Sequence, residues 1–226
     1  MVALGILDTP SPNTIAKYIP AIRKQPNHDA RQSWRTFLAN HMEQTLAMDL
    51  FTVPTITFRM LYVFLIVSHA RRRIVRIAVT RHPTAAWVVR QLREATPYGE
   101  QPEYLIRDND SIYGKEVVGF LASARIGEVR TAYRSPWQNP YAERLIGILR
   151  REILDLIVPL DERNLERLLS EFVRHYYHPI RVHGGLGHAP PDIGPPIEKS
   201  RMSVDVQLES QPILGGLYHG YRDKAA

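Results

Sequence analysis

The chain has 226 residues, of which 44% are apolar and 23% are charged, and it contains no cysteine. This composition fits a globular protein and excludes a disulfide framework or a thiolate metal site. The net charge of +6 favours polyanionic partners such as nucleic acid.

The sequence carries no signal for export or membrane insertion. Its first residues lack the charged and apolar regions of a secretory signal. The most apolar run, Met60 to Val67, is too short for the roughly 20 residues that a membrane helix needs, and its composition predicts a buried strand. We therefore expect no membrane partner and a cytoplasmic location, which the lack of cysteine also suits.

The amino-terminal region predicts a small helix and a linker. Ser11 can cap a helix that starts at Pro12, and a short apolar stripe follows. No helical pattern precedes this stripe to pack against it. Residues 21–33 are polar and basic, which is typical of a linker.

From Trp34 onward the pattern predicts a mixed α/β fold. Apolar, β-branched runs predict strands at residues 44–53, 59–68, 72–80, 103–107 and 127–133. Helical spacing predicts helices at 83–95 and 114–124, and two more from Pro140 and Asp161. This order implies a mixed five-stranded sheet with helices on its faces. Beyond Tyr177 we expect only a short strand pair, near Val204–Leu208 and Gly216–His219.

Asp49 lies in the middle of the first predicted strand. Apolar residues flank it on both sides, which is typical of a central, buried strand. An ionised carboxylate in such a place is costly unless it is paired or binds a metal. A hydrogen-bonded structural aspartate is the alternative.

Asp108 follows the fourth predicted strand. The carboxyl ends of parallel strands are favoured positions for chemistry. An ordinary turn aspartate is the alternative here, and Asp110 competes for the same role.

Glu143 falls in the first turn of a helix that Asn139 can cap and Pro140 can begin. The buried face of this helix is marked by Leu145, Leu149, Ile153 and Leu156. Glu143 lies on another face together with Arg150 and Arg151. The alternative is a solvated glutamate that favours the positive end of the helix. Three acids placed in this way can converge on two divalent cations about 3.5–4 Å apart, and oxygen ligands suit Mg²⁺.

Four stretches of the sequence carry a resemblance to a known family. They are "AMDLFTVPT", "YLIRDNDSIYG", "SPWQNPYAERLIG" and "YYHPIRVHGGLG", in that order along the chain. Together with Asp49, Asp108 and Glu143, the last two separated by 34 residues, they resemble the DDE transposase and integrase superfamily. The resemblance is nearest to the integrase core of bacterial insertion-sequence transposases, which is related to retroviral integrase. Pro140 and Asp110 stand where many relatives have glycine.

The resemblance implies a ribonuclease H-like fold and metal-dependent DNA cleavage and strand transfer. Asp49, Asp108 and Glu143 would be the catalytic residues and would hold two Mg²⁺ ions, for which Mn²⁺ can substitute. One ion would activate first water and then the freed 3′-hydroxyl, and the other would stabilise the leaving 3′-oxygen. The implied partners are double-stranded DNA, at the element ends and the target, and further copies of the chain on that DNA. The implied location is the bacterial nucleoid.

The same resemblance suggests how the chain divides and where DNA binds. Residues 1–30 would be a partial helix-turn-helix with its linker, 31–178 the catalytic core, and 179–226 a carboxyl-terminal extension. The missing earlier helices would make the chain an N-terminally truncated or remnant copy. The residues expected to contact DNA are Trp137, Gln138, Asn139, Arg144, Arg150 and Arg151. Trp34 and Trp87 are expected in the core instead.

Other interpretations stay open on the sequence alone. His175, His178, His183 and His188 invite a zinc site, although their spacing lacks a standard zinc pattern. The chain could be a non-catalytic DNA-binding relic that keeps the fold and the basic surface. It could also be a ribonuclease H-like nuclease that hydrolyses nucleic acid without joining it.

Overall fold

The computed structural model describes residues 28–132, 135–193 and 208–224. The helix expected within residues 1–20 lies outside these ranges. The first described element is helix α1, His28–His41, in which the rings of Trp34 and Phe37 stack 5.4 Å apart. No helix in the described ranges is long and apolar enough to cross a membrane.

The centre of the molecule is a mixed five-stranded sheet. Its strands are β1 (Thr45–Pro54), β2 (Met60–Ser68), β3 (Ile74–Thr80), β4 (Tyr104–Arg107) and β5 (Gly127–Arg130). They lie in the order β3-β2-β1-β4-β5, so that β1 is central. β2 and β3 follow β1 as an antiparallel meander, whereas β4 and β5 run parallel to β1. The predicted fold class, an α/β fold with a mixed five-stranded sheet, is confirmed.

Two helices cover one face of the sheet. They are α2 (Ala85–Ala95), capped by the Thr84 side chain, and α3 (Lys115–Ser123). Their buried residues pack on the strand residues that point to this face, and these side chains form one hydrophobic cluster: Met48, Phe64, Ile66, Val88, Leu92, Leu105, Tyr113, Val117, Leu121 and Ile126. As expected, Trp87 contributes to this core, because its ring meets that of Phe64 edge-on at 5.8 Å.

Two further helices contact β1, β2 and β3. Helix α4 spans Pro140–Leu149 and continues as a π-helical turn through Leu154. Helix α5 spans Glu162–Phe172 and also ends in a π-helical turn. Asp161 caps α5 as predicted, since its carboxylate accepts a 2.8 Å hydrogen bond from the Asn164 amide.

The prediction that Leu156 belongs to the buried face of α4 is wrong. The helical turns end at Leu154, so Leu156 lies in the following turn and is 56% exposed. Leu145, Leu149 and Ile153 are buried as predicted.

The segment after α5 is fixed to the turn between β2 and β3. The Arg71 guanidinium donates to the carbonyl of Pro191 at 2.9 Å, and the Tyr177 hydroxyl donates to the Arg72 carbonyl at 2.9 Å. The Ile74 amide donates to the His178 ring at 3.0 Å. Beyond it, β6 (Leu208–Ile213) and β7 (Tyr218–Asp223) form a separate antiparallel pair, near the predicted position.

Leu149 and Leu156 provide a matched test of which residues hold α4 on the sheet. Leu149 is fully buried, so Leu149→Ala should lower the free energy of unfolding by about 2–5 kcal/mol. Leu156→Ala removes the same atoms from an exposed position and should change it by about 0.5 kcal/mol or less. Urea unfolding of both variants measures the difference, and equal losses would contradict this packing.

Candidate active site

Asp49 lies where the two halves of the sheet meet. It is paired with Leu65 of β2 on one side, while the parallel register with β4 pairs Ala47 with Ile106 on the other. Continuing that register by two residues brings Asp108 level with Asp49. Side chains alternate along a strand, so Asp49 shares a face of β1 with Phe51. The Arg150 guanidinium, in the turn after α4, lies 5.5 Å from the Phe51 ring, and Asp49 therefore points towards the α4 side.

Asp108 and Asp110 have different surroundings in the loop after β4. Asp108 is half-buried, and its carboxylate accepts a 3.1 Å hydrogen bond from the Asp110 amide. Asp110 is exposed, and its own carboxylate accepts a 3.0 Å hydrogen bond from the Ile112 amide. Asp110 thus stabilises the turn, while Asp108 is the acid that faces the interior.

Glu143 is exposed in the first turn of α4, as the sequence predicts. Asn139 occupies the N-cap position of this helix and Pro140 begins it, as predicted, but the Asn139 side chain forms no capping hydrogen bond. Asn139 is only 3% exposed, and its side-chain amide donates at 3.2 Å to the carbonyl of Met48, next to Asp49. This bond fixes the start of α4 against the central strand and so sets where Glu143 lies.

The acids form one electrostatic cluster. The pKa of Asp49 is raised to about 7, mainly by burial and also by the charges of Asp108, Glu143 and Asp110, which together outweigh the lowering effect of the Leu50 amide. Burial also raises the pKa of Asp108. The pKa of Asp49 on β1 therefore responds to carboxylates in the loop after β4 and on α4.

Arg107 and Tyr113 support this cluster, and the sequence analysis did not identify them. Arg107 is 2% exposed, forms an ion pair with Glu128 and donates at 2.8 Å to the Asp108 carbonyl. Its guanidinium lies 5.4 Å from the ring of Tyr113. Burial, followed by the charges of Asp49 and Asp108, raises the pKa of Tyr113 well above its usual value. An arginine ending the apolar strand "YLIR" was the available signal.

The donor set of the three acids fits a hard divalent cation. Asp49, Asp108 and Glu143 offer only oxygen ligands, and none forms an ion pair with a described residue. Within residues 28–132, 135–193 and 208–224, no three acidic or histidine side chains are close enough together to hold a metal ion.

Part of the chain is similar to a known protein family. Residues 124–191 match the family model described as integrase core domain. Residues 124–191 therefore resemble an integrase core domain. The match includes α4 with Glu143 and extends through the segment that follows α5. A comparison with curated protein sequences gives no match.

Solved structures that are similar to this chain share its fold. A chain of the simian T-cell lymphotropic virus intasome, in complex with PP2A regulatory subunit B56 gamma, matches 78% of this chain at 16% identity with a TM-score of 0.51. The match covers 65% of that viral chain. The catalytic domain of Mos1 mariner transposase matches 68% of this chain and 85% of its own length, at 11% identity with a TM-score of 0.55. The predicted resemblance to the DDE transposase and integrase superfamily and its ribonuclease H-like fold is confirmed.

The residues expected to contact DNA surround Glu143 in different ways. Arg144, Arg150 and Arg151 are exposed, and the Arg151 guanidinium lies over Gly147. Arg150 also donates at 3.5 Å to the Thr52 carbonyl. Trp137 is half-buried in the loop before α4, and the Gln138 side chain accepts a hydrogen bond from the Ala132 amide. Because Asn139 is buried, its side chain positions this loop.

The four histidines considered as zinc ligands do not form a cluster. His175 and His188 are exposed, and His178 accepts the hydrogen bond from the Ile74 amide. His183 is buried against Tyr177, with the ring centroids 5.1 Å apart. No zinc site forms among these residues, all of which the structure describes.

The raised pKa of Asp49 makes a prediction about stability and pH. Because the folded-state pKa of about 7 exceeds the ordinary value of 3.8, the folded protein binds more protons between these values and loses stability as the pH rises through them. Asp49→Asn should remove this loss. Its free energy of unfolding at pH 8 should exceed that of the parent by up to roughly 4 kcal/mol, with little difference at pH 3.5.

Urea unfolding without divalent cations, repeated from pH 3.5 to pH 8, measures this effect. Asp110→Asn is the matched control, since Asp110 is exposed and bonds within its own turn. A constant difference between parent and Asp49→Asn across this pH range would contradict the raised pKa.

Proposed function

We propose that this chain is a DDE-type transposase or integrase that cleaves DNA and joins the freed end to a target strand with the aid of divalent metal ions. The observation that carries the proposal is the electrostatic cluster of Asp49, Asp108 and Glu143 within an integrase core fold. Asp108 is preferred to Asp110 as the second acid because Asp110 is exposed and occupied with its own turn.

Asp49, Asp108 and Glu143 would hold two Mg²⁺ ions, for which Mn²⁺ can substitute. When bound, the ions supply charge stabilisation to the attacking and leaving oxygens of an in-line displacement. In cleavage, a water oxygen bonds to phosphorus, the bond to the 3′-oxygen breaks, and a proton ends on that oxygen. In joining, the freed 3′-hydroxyl takes the place of water and displaces a 3′-oxygen of the target strand.

The chain's own residues would position these groups. Asn139 ties the start of α4 to β1, so Glu143 is held opposite Asp49. Arg107 ties the Asp108 backbone to Glu128 of β5. Preorganised charges of this kind lower the barrier because they need no rearrangement during the reaction.

Double-stranded DNA is the proposed substrate, and Trp137, Gln138, Asn139, Arg144, Arg150 and Arg151 border its proposed path. The net charge of +6 and the exposed arginines beyond Glu143 support this. We further propose that copies of the chain assemble on DNA in the bacterial nucleoid. The similar viral chain comes from an intasome, which supports assembly on DNA.

Chemistry and DNA binding should separate when the acids are changed. Asp49→Asn, Asp108→Asn and Glu143→Gln keep the side-chain shape and remove a charge that would bind metal. Each should nearly abolish Mg²⁺-dependent cleavage and joining, while DNA affinity persists or rises because negative charge leaves the site. Asp110→Asn, the matched control, should retain both activities.

A joining assay beside a gel shift, using the ends of the element that flanks the gene, measures these outcomes. Joining by Glu143→Gln at the parent rate would contradict the mechanism. A parent that binds DNA and never joins it with Mg²⁺ or Mn²⁺ would instead favour the DNA-binding relic. Cleavage without joining would favour the nuclease.

The arginines after Glu143 predict how DNA affinity depends on salt. Each lost phosphate contact lowers the slope of log affinity against log salt by roughly one unit. Arg150→Ala with Arg151→Ala should therefore lower the slope by about two units. The pair Arg90→Ala with Arg93→Ala removes the same charge from α2 and should leave the slope unchanged. A common slope for parent and both variants would show that the face of α4 does not touch DNA.

A further inference from the structure

Arg72, in the turn between β2 and β3, lies against two other parts of the chain. Its guanidinium lies 5.3 Å from the centre of the Tyr141 ring at the start of α4. It also contacts the backbone of Gly185. A Cβ atom at this glycine would overlap the guanidinium. The guanidinium is therefore held between the helix that carries Glu143 and the short turn Gly184–Leu186.

Arg144 lies beside this position. It follows Tyr141 by three residues on α4, and residues at that spacing are neighbours on a helix surface. The guanidinium groups of Arg72 and Arg144 form no ion pair and no side-chain hydrogen bond with any residue of the described ranges. Two cations without a carboxylate partner thus lie near one another.

His183 places a buried hydrogen-bond donor at the same location. It is 5% exposed, and its Nδ1 lies 3.3 Å from a guanidinium nitrogen of Arg181, which can only donate. The ring proton therefore belongs on Nε2. That atom is buried and has no hydrogen-bond partner among the described residues. A buried donor without an acceptor is destabilising, so an acceptor supplied by a ligand would recover the lost hydrogen-bond energy.

The charges around His183 favour an anion. The charge of Arg181 is already neutralised by Glu152, to which Arg181 donates three hydrogen bonds of 2.6, 2.8 and 3.0 Å. Burial lowers the pKa of His183 to about 4, and Arg181, Arg72 and Arg144 contribute to the lowering, so the ring is neutral at physiological pH. Two unpaired guanidinium groups and one N–H donor remain, and a phosphate group supplies the charge and the acceptor oxygens that they need.

We propose that Arg72, Arg144 and His183 bind one phosphate group of the DNA backbone beside Glu143. The identity of the anion as DNA rests on the proposed function, while the anion site rests on these contacts alone. The site gives the segment "YYHPIRVHGGLG" a role, because Gly185 lets Arg72 approach and His183 supplies the donor.

The first test is the salt dependence of binding to a 20-base-pair duplex. Arg72→Gln and Arg144→Gln should each lower the slope of log affinity against log salt by roughly one unit. Arg72→Lys keeps the charge and should keep the slope. Arg90→Gln removes an exposed charge from α2 and should leave the slope unchanged. Equal slopes for Arg72→Gln and Arg90→Gln would overturn the proposal.

His183→Phe gives a second, different expectation. The ring can still pack on Tyr177, but the N–H donor is lost. Because His183 is neutral, affinity for the duplex should fall at every salt concentration while the slope stays that of the parent. Thermal melting of each variant separates loss of binding from loss of folding. If His183→Phe does not fold, the arginine variants still decide the outcome.

Inorganic phosphate distinguishes the two sources of the anion. In the parent, added phosphate should shift the NMR signal of His183 Nε2, and duplex DNA should compete with it. A phosphate-induced shift with unchanged DNA slopes in the arginine variants would mean a site for free phosphate and would overturn the DNA assignment. No shift and no change of slope would overturn the site itself.

The joining assay makes failure of this inference distinguishable from failure of the proposed function. A parent that joins DNA, with arginine variants of unchanged slope, would leave the function standing and remove the phosphate site. A parent that never joins, with lowered slopes in the variants, would leave the phosphate site standing on a non-catalytic DNA-binding protein.

Discussion

A carboxylate on the central strand of a sheet constrains everything around it. Asp49 cannot move away from its position, because β1 is paired with β2 on one side and with β4 on the other. Burial of this carboxyl group is therefore the largest cause of its raised pKa of about 7. The other acids reach Asp49 from elements of different types, a loop after a parallel strand and a helix that crosses the sheet. Their positions depend on how those elements are fixed to β1.

The fixing contacts are made by neutral or paired groups close to each acid. Asn139 bonds to the Met48 carbonyl, one residue before Asp49 in the strand. Arg107 bonds to the Asp108 carbonyl while its own charge is matched by Glu128. Such groups set the geometry of the carboxylates and leave their oxygens accessible. Like charges held close together repel, so the arrangement is stable only if a cation or protons offset that repulsion.

Periodicity and local signals were sufficient for the element order and for the acids. β-Branched runs identified all five strands of the sheet, and the apolar flanks of Asp49 identified a central strand. Two departures from the local pattern have a common cause. Asn139 has an N-cap signature, but its side chain bonds to a strand 91 residues away, and Leu156 follows the helical pattern beyond the point where the helix ends. Neither a tertiary hydrogen bond nor a π-helical turn can be predicted from the local sequence pattern.

The neighbours of the acidic cluster, Arg107 and Tyr113, could not be predicted from the sequence. Arg107 and Tyr113 lie under the cluster because the loop after β4 turns back on itself, a path that the bonds of Asp108 and Asp110 within that loop define. The surroundings of His183 could not be predicted from the sequence either. Four histidines in a short segment suggested a metal, whereas the fold separates them and gives each a different neighbour.

The segment after α5 contacts both the helix that carries Glu143 and the turn that carries Arg72. Glu152, in the turn after α4, pairs with Arg181, and its carbonyl accepts a 2.6 Å hydrogen bond from the Tyr218 hydroxyl of β7. Tyr177 meanwhile bonds to the backbone of Arg72. The helix that carries Glu143 is thus connected through one continuous segment to the turn that carries Arg72. Since an acid and a cation held by the same segment cannot shift independently, the distance between the acidic cluster and its basic border is fixed by the fold itself.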